Sequence, residues 1–450
     1  MNRQPTRQNP RRQRSPIRTA IITVVAIALV AGGLVAAALW WNRSRQSNRP
    51  SASSPSSSLQ PSSGAGASPS AGESNSSSGS PTSSPSDSPN TSSSSPTEHD
   101  NGAVDASKTK AIKAVDAMPL KEQVGQLVMA PLFAGRSPSS LRDLITNQHV
   151  GSVLVIGKWN VGTAGVKKAV DALQSYAPQR NSLIMATDQE GGQVQHLRGT
   201  GFSTMPSAVS QGRMSTDQLT KAAAQWGKQL RSAGINTDLA PVADTVQTKR
   251  ANNAPIGALD RDFGLGASGN ARHAIAFIDG MRQAGIETSI KHYPGLGAVT
   301  GNTDFTANGI LDTTTTLDGQ EISAFTTALQ GEPGLVMMSL ATYKSIDPDN
   351  PAAFSSTLID GHLRGESGYD GVVTSDSLSA AAVSGIAPRQ LGVRFVEAGG
   401  DLACVGANQY VQPILDGLNE RAASDPAFAK QVKQSAIRVM TLKYRMGLAR

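Results

Sequence analysis

Three short segments of this chain place ionisable side chains directly after apolar runs. In Ala186-Thr187-Asp188-Gln189-Glu190-Gly191-Gly192-Gln193-Val194, two acids lead into a double glycine where the backbone can turn sharply. In Ser289-Ile290-Lys291-His292-Tyr293-Pro294-Gly295-Leu296-Gly297, a cation and an imidazole precede a Pro-Gly turn and a loop that reaches Asn302-Thr303-Asp304. In Val372-Val373-Thr374-Ser375-Asp376-Ser377-Leu378, Asp376 follows β-branched and hydroxyl residues suited to a buried strand. Such carboxylates can accept hydrogen bonds from hydroxyl groups, and Lys and His can donate them. Plainer readings exist: a strand-end aspartate caps the next helix, a lone strand-end histidine is structural, and loops are polar anyway. They account less well for a Lys-His pair and several carboxylates abutting buried strands, because an unpaired buried charge is costly.

The elements that must hold these residues recur along the second part of the chain. Eight short apolar runs occur at residues 126–131, 152–156, 183–187, 237–241, 288–291, 335–339, 371–375 and 401–405. Helix-like stretches lie between them, among them 215–233, 267–284, 318–330 and 388–398, each followed by a glycine: Gly234, Gly285, Gly331 and Gly399. Glycine just past a helix supplies the left-handed residue that closes it. Alternating strands and helices predict an α/β fold with a parallel sheet, and eight repeats predict a single-domain (β/α)8 TIM-type barrel over residues 104–450. A doubly wound open sheet is the alternative, weakened because no glycine-rich nucleotide-binding pattern opens a helix after the first run. Asp188 and Glu190 follow the third run, Asp244 the fourth, Lys291 and His292 the fifth, and Asp376 the seventh. Barrels build their active sites from the loops at strand C-termini.

The N-terminal quarter cannot form a core. Residues 1–18 carry six arginines and no acid, and residues 19–41 form an uncharged, mostly aliphatic run of 23 residues ending in Trp40 and Trp41. That length spans a bilayer, and the excess of arginine before the run predicts a cytoplasmic N-terminus, a transmembrane signal anchor and an extracytoplasmic remainder. A cleaved signal peptide, which would release the protein, is the competing reading; its apolar region is usually shorter. Residues 42–103 are dominated by Ser and Pro and predict a disordered linker. The net charge of +7 reflects nine arginines and no acid in residues 1–49, against four acids and no base in residues 50–103, leaving the remainder at +2. The arginine cluster is therefore a topology signal, and nothing suggests a nucleic-acid partner. A single cysteine, Cys404, allows no internal disulfide or cysteine-based metal cluster, so it is expected to be a buried, inert thiol.

Together the three segments resemble glycoside hydrolase family 3, in particular its single-domain bacterial β-N-acetylhexosaminidases. The resemblance extends to Asn253-Ala254-Pro255-Ile256-Gly257 with Arg261 and Phe263, to residues 234–244, to Val336-Met337-Met338-Ser339 with Tyr343, and to Ala398-Gly399-Gly400-Asp401, covering most of residues 112–450. It implies a retaining exo-glycosidase without cofactor or metal, acting on terminal β-linked N-acetylglucosamine or related sugars of cell-wall glycans such as peptidoglycan fragments. Asp376 would then be the nucleophile that forms a covalent glycosyl-enzyme. Asp188, Arg261, Lys291 and His292 would hold the sugar's hydroxyls.

This chain departs from the family at the acid/base loop. The family's Lys-His-Phe-Pro-Gly-His-Gly is followed by Asp-Ser-His, whose histidine is the acid/base. Here Leu296 replaces the histidine of the turn, and Asn302-Thr303-Asp304 stands in place of Asp-Ser-His. Asp304 then takes the acid/base position, and Asn302 replaces its partner aspartate, removing a second charge that would repel a carboxylate. To act as an acid near neutral pH, Asp304 needs a raised pKa, for which closure of an apolar loop bearing Phe305 is the expected cause. Otherwise Asp304 is solvated and the acid function is lost. Two other classes compete with the glycosidase: a cell-wall sugar-binding protein with impaired catalysis, and a barrel enzyme of another reaction class such as a lyase. Retention of Asp376 favours the glycosidase, and loss of the loop histidine favours the binder.

Overall fold

The computed structural model of the chain describes residues 98–450. The basic N-terminus, the expected anchor at 19–41 and nearly all of the expected linker lie outside the described residues. No helix among the described residues is long and apolar enough to cross a membrane. The first helix, Glu98–Asp116, begins within the last residues expected to be linker. Ala111 and Val115, one turn apart, are buried, and the helix packs against the C-terminal helix Pro426–Arg445. Once such a turn is docked, extending the helix by further residues costs little.

Each of the eight apolar runs overlaps a strand of one parallel sheet. These are β1 (Val128–Phe133), β2 (Ser152–Ile156), β3 (Ile184–Thr187), β4 (Thr237–Asp238), β5 (Glu287–Tyr293), β6 (Leu335–Met338), β7 (Val372–Ser375) and β8 (Ala403–Cys404). Neighbours in sequence pair in parallel from β1 to β7, and β8 returns to β1 with Val128 opposite Ala403. Between β7 and β8 the seam is one bridge, Thr374 to Leu402, so the barrel is nearly closed. This strand order rules out the doubly wound alternative, whose sheet has two open edges.

Continuous apolar runs arise because both faces of each strand are covered. In β2, Val153 and Val155 pack in the layer beneath the helices, whereas Leu154 joins Met129, Ile184, Ala186, Leu239, Met337 and Leu402 in the barrel interior. Val439 and Leu442 of the last helix belong to the same inner cluster. The ladder is shorter than the run in two places. In residues 237–241 the regular ladder covers only Thr237–Asp238, although Leu239 N–H still donates to Thr187 O and the Ala240 and Pro241 carbonyls accept from Ser289 and Lys291; in 401–405 it covers Ala403–Cys404, with Leu402 bridging to Thr374.

The covering helices follow their sequence signals. Helix Thr216–Ser232 starts with a capping box, Ser215 Oγ accepting from Gln218 N–H and Gln218 Oε1 accepting from Ser215 N–H, and it buries Leu219, Ala223, Trp226 and Leu230 along one face. Gly234, Gly285 and Gly399 adopt the expected left-handed conformation, with φ of 82°, 72° and 99°. Gly331 does not. Helix Gln320–Ala328 runs into a 3₁₀ turn, Leu329–Gly331, which moves the left-handed position onto Glu332 at φ 53°. A Cβ on Gly331 would stand 3.0 Å from Ile278 Cδ1, so close packing is what favours glycine there. The crossover between β6 and β7 is a π-helix, Thr357–Glu366, with no counterpart among the expected helices.

Candidate active site

At the C-terminal ends of the strands, β5 delivers Lys291, only 1% exposed, into a cluster of acids. Its Nζ lies 2.5 Å from Asp188 Oδ1, just after β3, and 2.7 Å from Glu190 Oε1. Arg261, from the loop after β4, grips Glu190 with two parallel bonds, Nε to Oε2 at 2.9 Å and Nη2 to Oε1 at 2.8 Å, while Nη1 donates to the Pro255 carbonyl. Burial alone would raise the Glu190 pKa, but Arg261 and Lys291 outweigh it and hold the carboxyl well below the usual range. Burial likewise opposes charge on Lys291, and Asp188 with Glu190 outweighs that, keeping the ammonium charged above its ordinary pKa. Both Glu190 oxygens are thus occupied by cations. Of the two acids in this segment, Glu190 anchors the cluster, and Asp188 is the one that lines the cavity. The double glycine makes the turn possible: Gly191 and Gly192 have φ of 101° and 57°, and a Cβ on Gly191 would meet the Pro206 carbonyl oxygen at 2.2 Å.

Lys291 and His292 are consecutive, and regular strand alternation would send them to opposite faces. The β5–β6 register shifts between Lys291 and Tyr293, an irregularity that lets both line the same cavity. Asp244, fully buried after β4, fixes the imidazole: Oδ2 accepts from His292 Nδ1 at 2.7 Å and from its backbone N–H at 3.2 Å, while Oδ1 accepts from Leu296 N–H at 2.7 Å. With Nδ1 held by Asp244, His292 Nε2 faces Arg261 Nη2, 3.4 Å away.

The next loop carries Asp304. Asn253 braces its root, donating from Nδ2 to the carbonyls of Leu296 and Val299, both at 2.7 Å, and accepting at Oδ1 from Ile256 and Gly257. Asn302 Oδ1 accepts from Asp304 N–H at 3.0 Å, so it shapes the turn through the backbone. The residue Asp304 is exposed, but its carboxyl lies at the mouth of the cavity: desolvation pushes its pKa up to about 6, the negative charge of Asp376 adds to the rise, and Arg261 and His292 oppose it. Phe305 was expected to close over this acid. It lines the cavity but is 82% exposed, so the pocket wall and Asp376, not an apolar lid, raise the pKa.

Asp376 follows β7. Its backbone N–H donates to Met338 O at 2.9 Å, and its Oδ1 accepts from Ser377 N–H at 2.8 Å; Oδ2 has no hydrogen-bond partner among the described residues. Asp376 caps no helix, because the next helical turn starts only at Ala381. Cys404 is buried in the cavity floor, with its thiol pKa pushed far up by burial.

All seven residues singled out from sequence, Asp188, Arg261, Lys291, His292, Asn302, Asp304 and Asp376, line one cavity of about 440 Å³. A second cavity, about 390 Å³, opens at the opposite end of the barrel between Lys108, Tyr369 and Arg438. Lys108 pairs with Asp370 there, Arg438 is held by the buried Asp401 behind the wall, and barrels place their chemistry at the other end. Sequence reading named Asp244 without a role and passed over Asn253 as a brace. His196 was missed altogether; it lines the active cavity with Nε2 3.8 Å from Asp188 Oδ2. Its only signal was its place four residues beyond the double glycine.

A parallel barrel with clustered carboxylates and hydrogen-bond donors at its strand ends has the site of a barrel protein suited to a polyhydroxylated ligand. The chain belongs to glycosyl hydrolase family 3: the family model described as "Glycosyl hydrolase family 3 N terminal domain" matches residues 119–442. The β-hexosaminidase LpqI of Mycobacterium tuberculosis is 30% identical over 336 residues, covering 72% of this chain and 82% of that protein. A crystal structure of a β-N-acetylhexosaminidase from Beutenbergia cavernae superimposes with a TM-score of 0.69 at 41% identity, covering 73% of this chain and 99% of that one. A structure of M. tuberculosis LpqI gives a TM-score of 0.65 at 26% identity, covering 74% and 96%. The protein is therefore a glycoside hydrolase of the β-N-acetylhexosaminidase-like kind.

Proposed function

We propose that the protein is a retaining exo-glycosidase that removes terminal β-linked N-acetylglucosamine, or a closely related sugar, from cell-wall or other glycans. The observation that carries this reading is the pairing of two carboxyl groups in one cavity: Asp376 with a free Oδ2, and Asp304 with a pKa pushed up to about 6 partly by the charge of Asp376. Near pH 6, Asp304 still carries its proton for part of the population, so it can serve as the acid while Asp376 serves as the nucleophile, which is the division of labour that double displacement needs. Asp376 attacks the anomeric carbon while Asp304 protonates the glycosidic oxygen; Asp304 then takes a proton from the water that releases the sugar. Asp188, Arg261, Lys291 and His292 hold the sugar's hydroxyls. The cluster around Glu190 keeps these groups in place before substrate arrives, so little reorganisation accompanies the reaction.

The apolar segment at residues 19–41 would anchor the enzyme in the cell membrane with the barrel outside, facing wall glycans. Residues 42–103 would then tether the barrel to the anchor. Protease treatment of intact cells tests this; protection of the barrel until the cells are lysed would remove the orientation.

Hydrolysis of aryl N-acetyl-β-glucosaminides by the parent and Asp376→Ala tests the chemistry, with the anomer of the first-formed product read by NMR. The β anomer and loss of turnover in Asp376→Ala are expected. First formation of the α anomer, or a glycosyl adduct trapped on another residue, would refute the assignment.

A further inference from the structure

An exposed phenylalanine on its own is ordinary, since most of a protein's surface is apolar. Phe305 is different because of where it stands. It is 82% exposed, follows Asp304 directly, and lines the same cavity as Asp188 and Lys291. The loop beneath it is held in place: the Thr303 carbonyl accepts from Ala382 N–H at 3.0 Å and the Asp304 carbonyl accepts from Ala381 N–H at 3.3 Å. Asn302 Oδ1 fixes the turn from inside. The ring is therefore presented by an anchored turn and still covers nothing of the protein's own core.

The proposed chemistry places a ligand beside it. An acid at Asp304 must reach the oxygen that joins the cleaved sugar to its leaving group, so the leaving group lies on the solvent side of Asp304. Towards the cavity floor, the charged cluster of Asp188, Arg261 and Lys291 suits the hydroxyls of the sugar that becomes covalently bound. At the mouth, beside Asp304, an aromatic face suits the apolar C–H face of a pyranose ring. We infer that Phe305 is the platform on which the leaving-group sugar stacks, a binding subsite for the second residue of a glycan. This rests on the glycosidase reading above, because only the position of the scissile oxygen orients the chain past Phe305.

The test compares the parent, Phe305→Ala and Phe305→Trp on two substrates, N,N′-diacetylchitobiose and methyl N-acetyl-β-glucosaminide. Calorimetric titration of the disaccharide and of N-acetylglucosamine, with each protein also carrying Asp376→Ala so that the disaccharide is not consumed, accompanies the kinetics. In Phe305→Ala, the ratio of kcat/KM for the disaccharide to that for the methyl glycoside is expected to fall about tenfold, and disaccharide affinity to fall while monosaccharide affinity holds; Phe305→Trp restores both. An unchanged ratio with unchanged disaccharide affinity overturns the platform, even if both substrates are hydrolysed. Loss of disaccharide affinity in a protein that hydrolyses neither substrate would keep the platform and remove the glycosidase reading instead.

Discussion

The backbone N–H of Ala382 donates to the carbonyl of Thr303 at 3.0 Å, linking the loop after β5 to the loop after β7. One loop carries Asp304 and the other Asp376, so the two carboxyl groups are positioned by main-chain bonds as well as by their own strands.

Replacing Asp304 by Asn removes the proton donor while keeping its shape. Turnover of substrates with poor leaving groups is expected to fall by about 10²–10⁴ in kcat/KM, the usual contribution of general acid catalysis, and turnover of activated aryl glycosides to fall much less. In the parent, kcat/KM should decline as pH rises through about 6, where Asp304 loses its proton. Asp304→Asn should lack that limb. Equal losses for all leaving groups would remove Asp304 as the acid.

Asp376 raises the Asp304 pKa by charge, so Asp376→Asn should lower it. Desolvation of the carboxyl by the cavity wall also raises it, hence the fall should stop short of an ordinary aspartate. A carboxyl NMR titration of Asp304 in the two proteins reads this directly. An unmoved titration would mean that the two carboxyl groups do not sense each other.

Glu190 and Asp188 should separate cleanly in their effects. Glu190→Gln leaves Arg261 and Lys291 buried without their shared counter-charge, and breaking a buried pair of this kind typically costs about 3–5 kcal/mol. A lowered Tm in thermal unfolding is expected. Asp188, whose side chain is 16% exposed, lines the cavity and leaves Lys291 still paired with Glu190 when replaced, so Asp188→Asn should raise KM while lowering Tm less than Glu190→Gln does.

Far from the active cavity, Lys443 is fully buried, its Nζ 2.8 Å from both Gln126 Oε1 and Asn181 Oδ1, and burial pushes its pKa down to about 7. The unfolded chain holds this proton up to an ordinary lysine pKa of about 10.4, so between those values the unfolded state binds more protons. The parent's stability should therefore rise with pH from about 7 towards 10, and denaturant unfolding of Lys443→Met should lack that component. Identical pH profiles would refute a neutral lysine.

Much of the architecture was legible because its signals are local. Ser152–Ile156 forms a strand with the bounds its run suggests, and Gly234, Gly285 and Gly399 close helices where capping chemistry places them. The misses had non-local causes. At Gly331, packing on Ile278 outweighed the capping role, and the left-handed residue became Glu332.

By itself, the sequence determined that strand ends would bear acids, a lysine and a histidine, because strand runs and the residues after them are contiguous in the chain. Which acid does what was a tertiary matter. Asp188 and Glu190 are two residues apart and read alike; only the approach of Arg261, 71 residues beyond Glu190, makes one an anchor and leaves the other at the cavity. The same holds for Asp304: its residue type is written in the chain, but its raised pKa comes from burial and from Asp376, a charge that folding brings near. Coulombic and desolvation effects depend on distance through space, and that distance exists only once the barrel has closed.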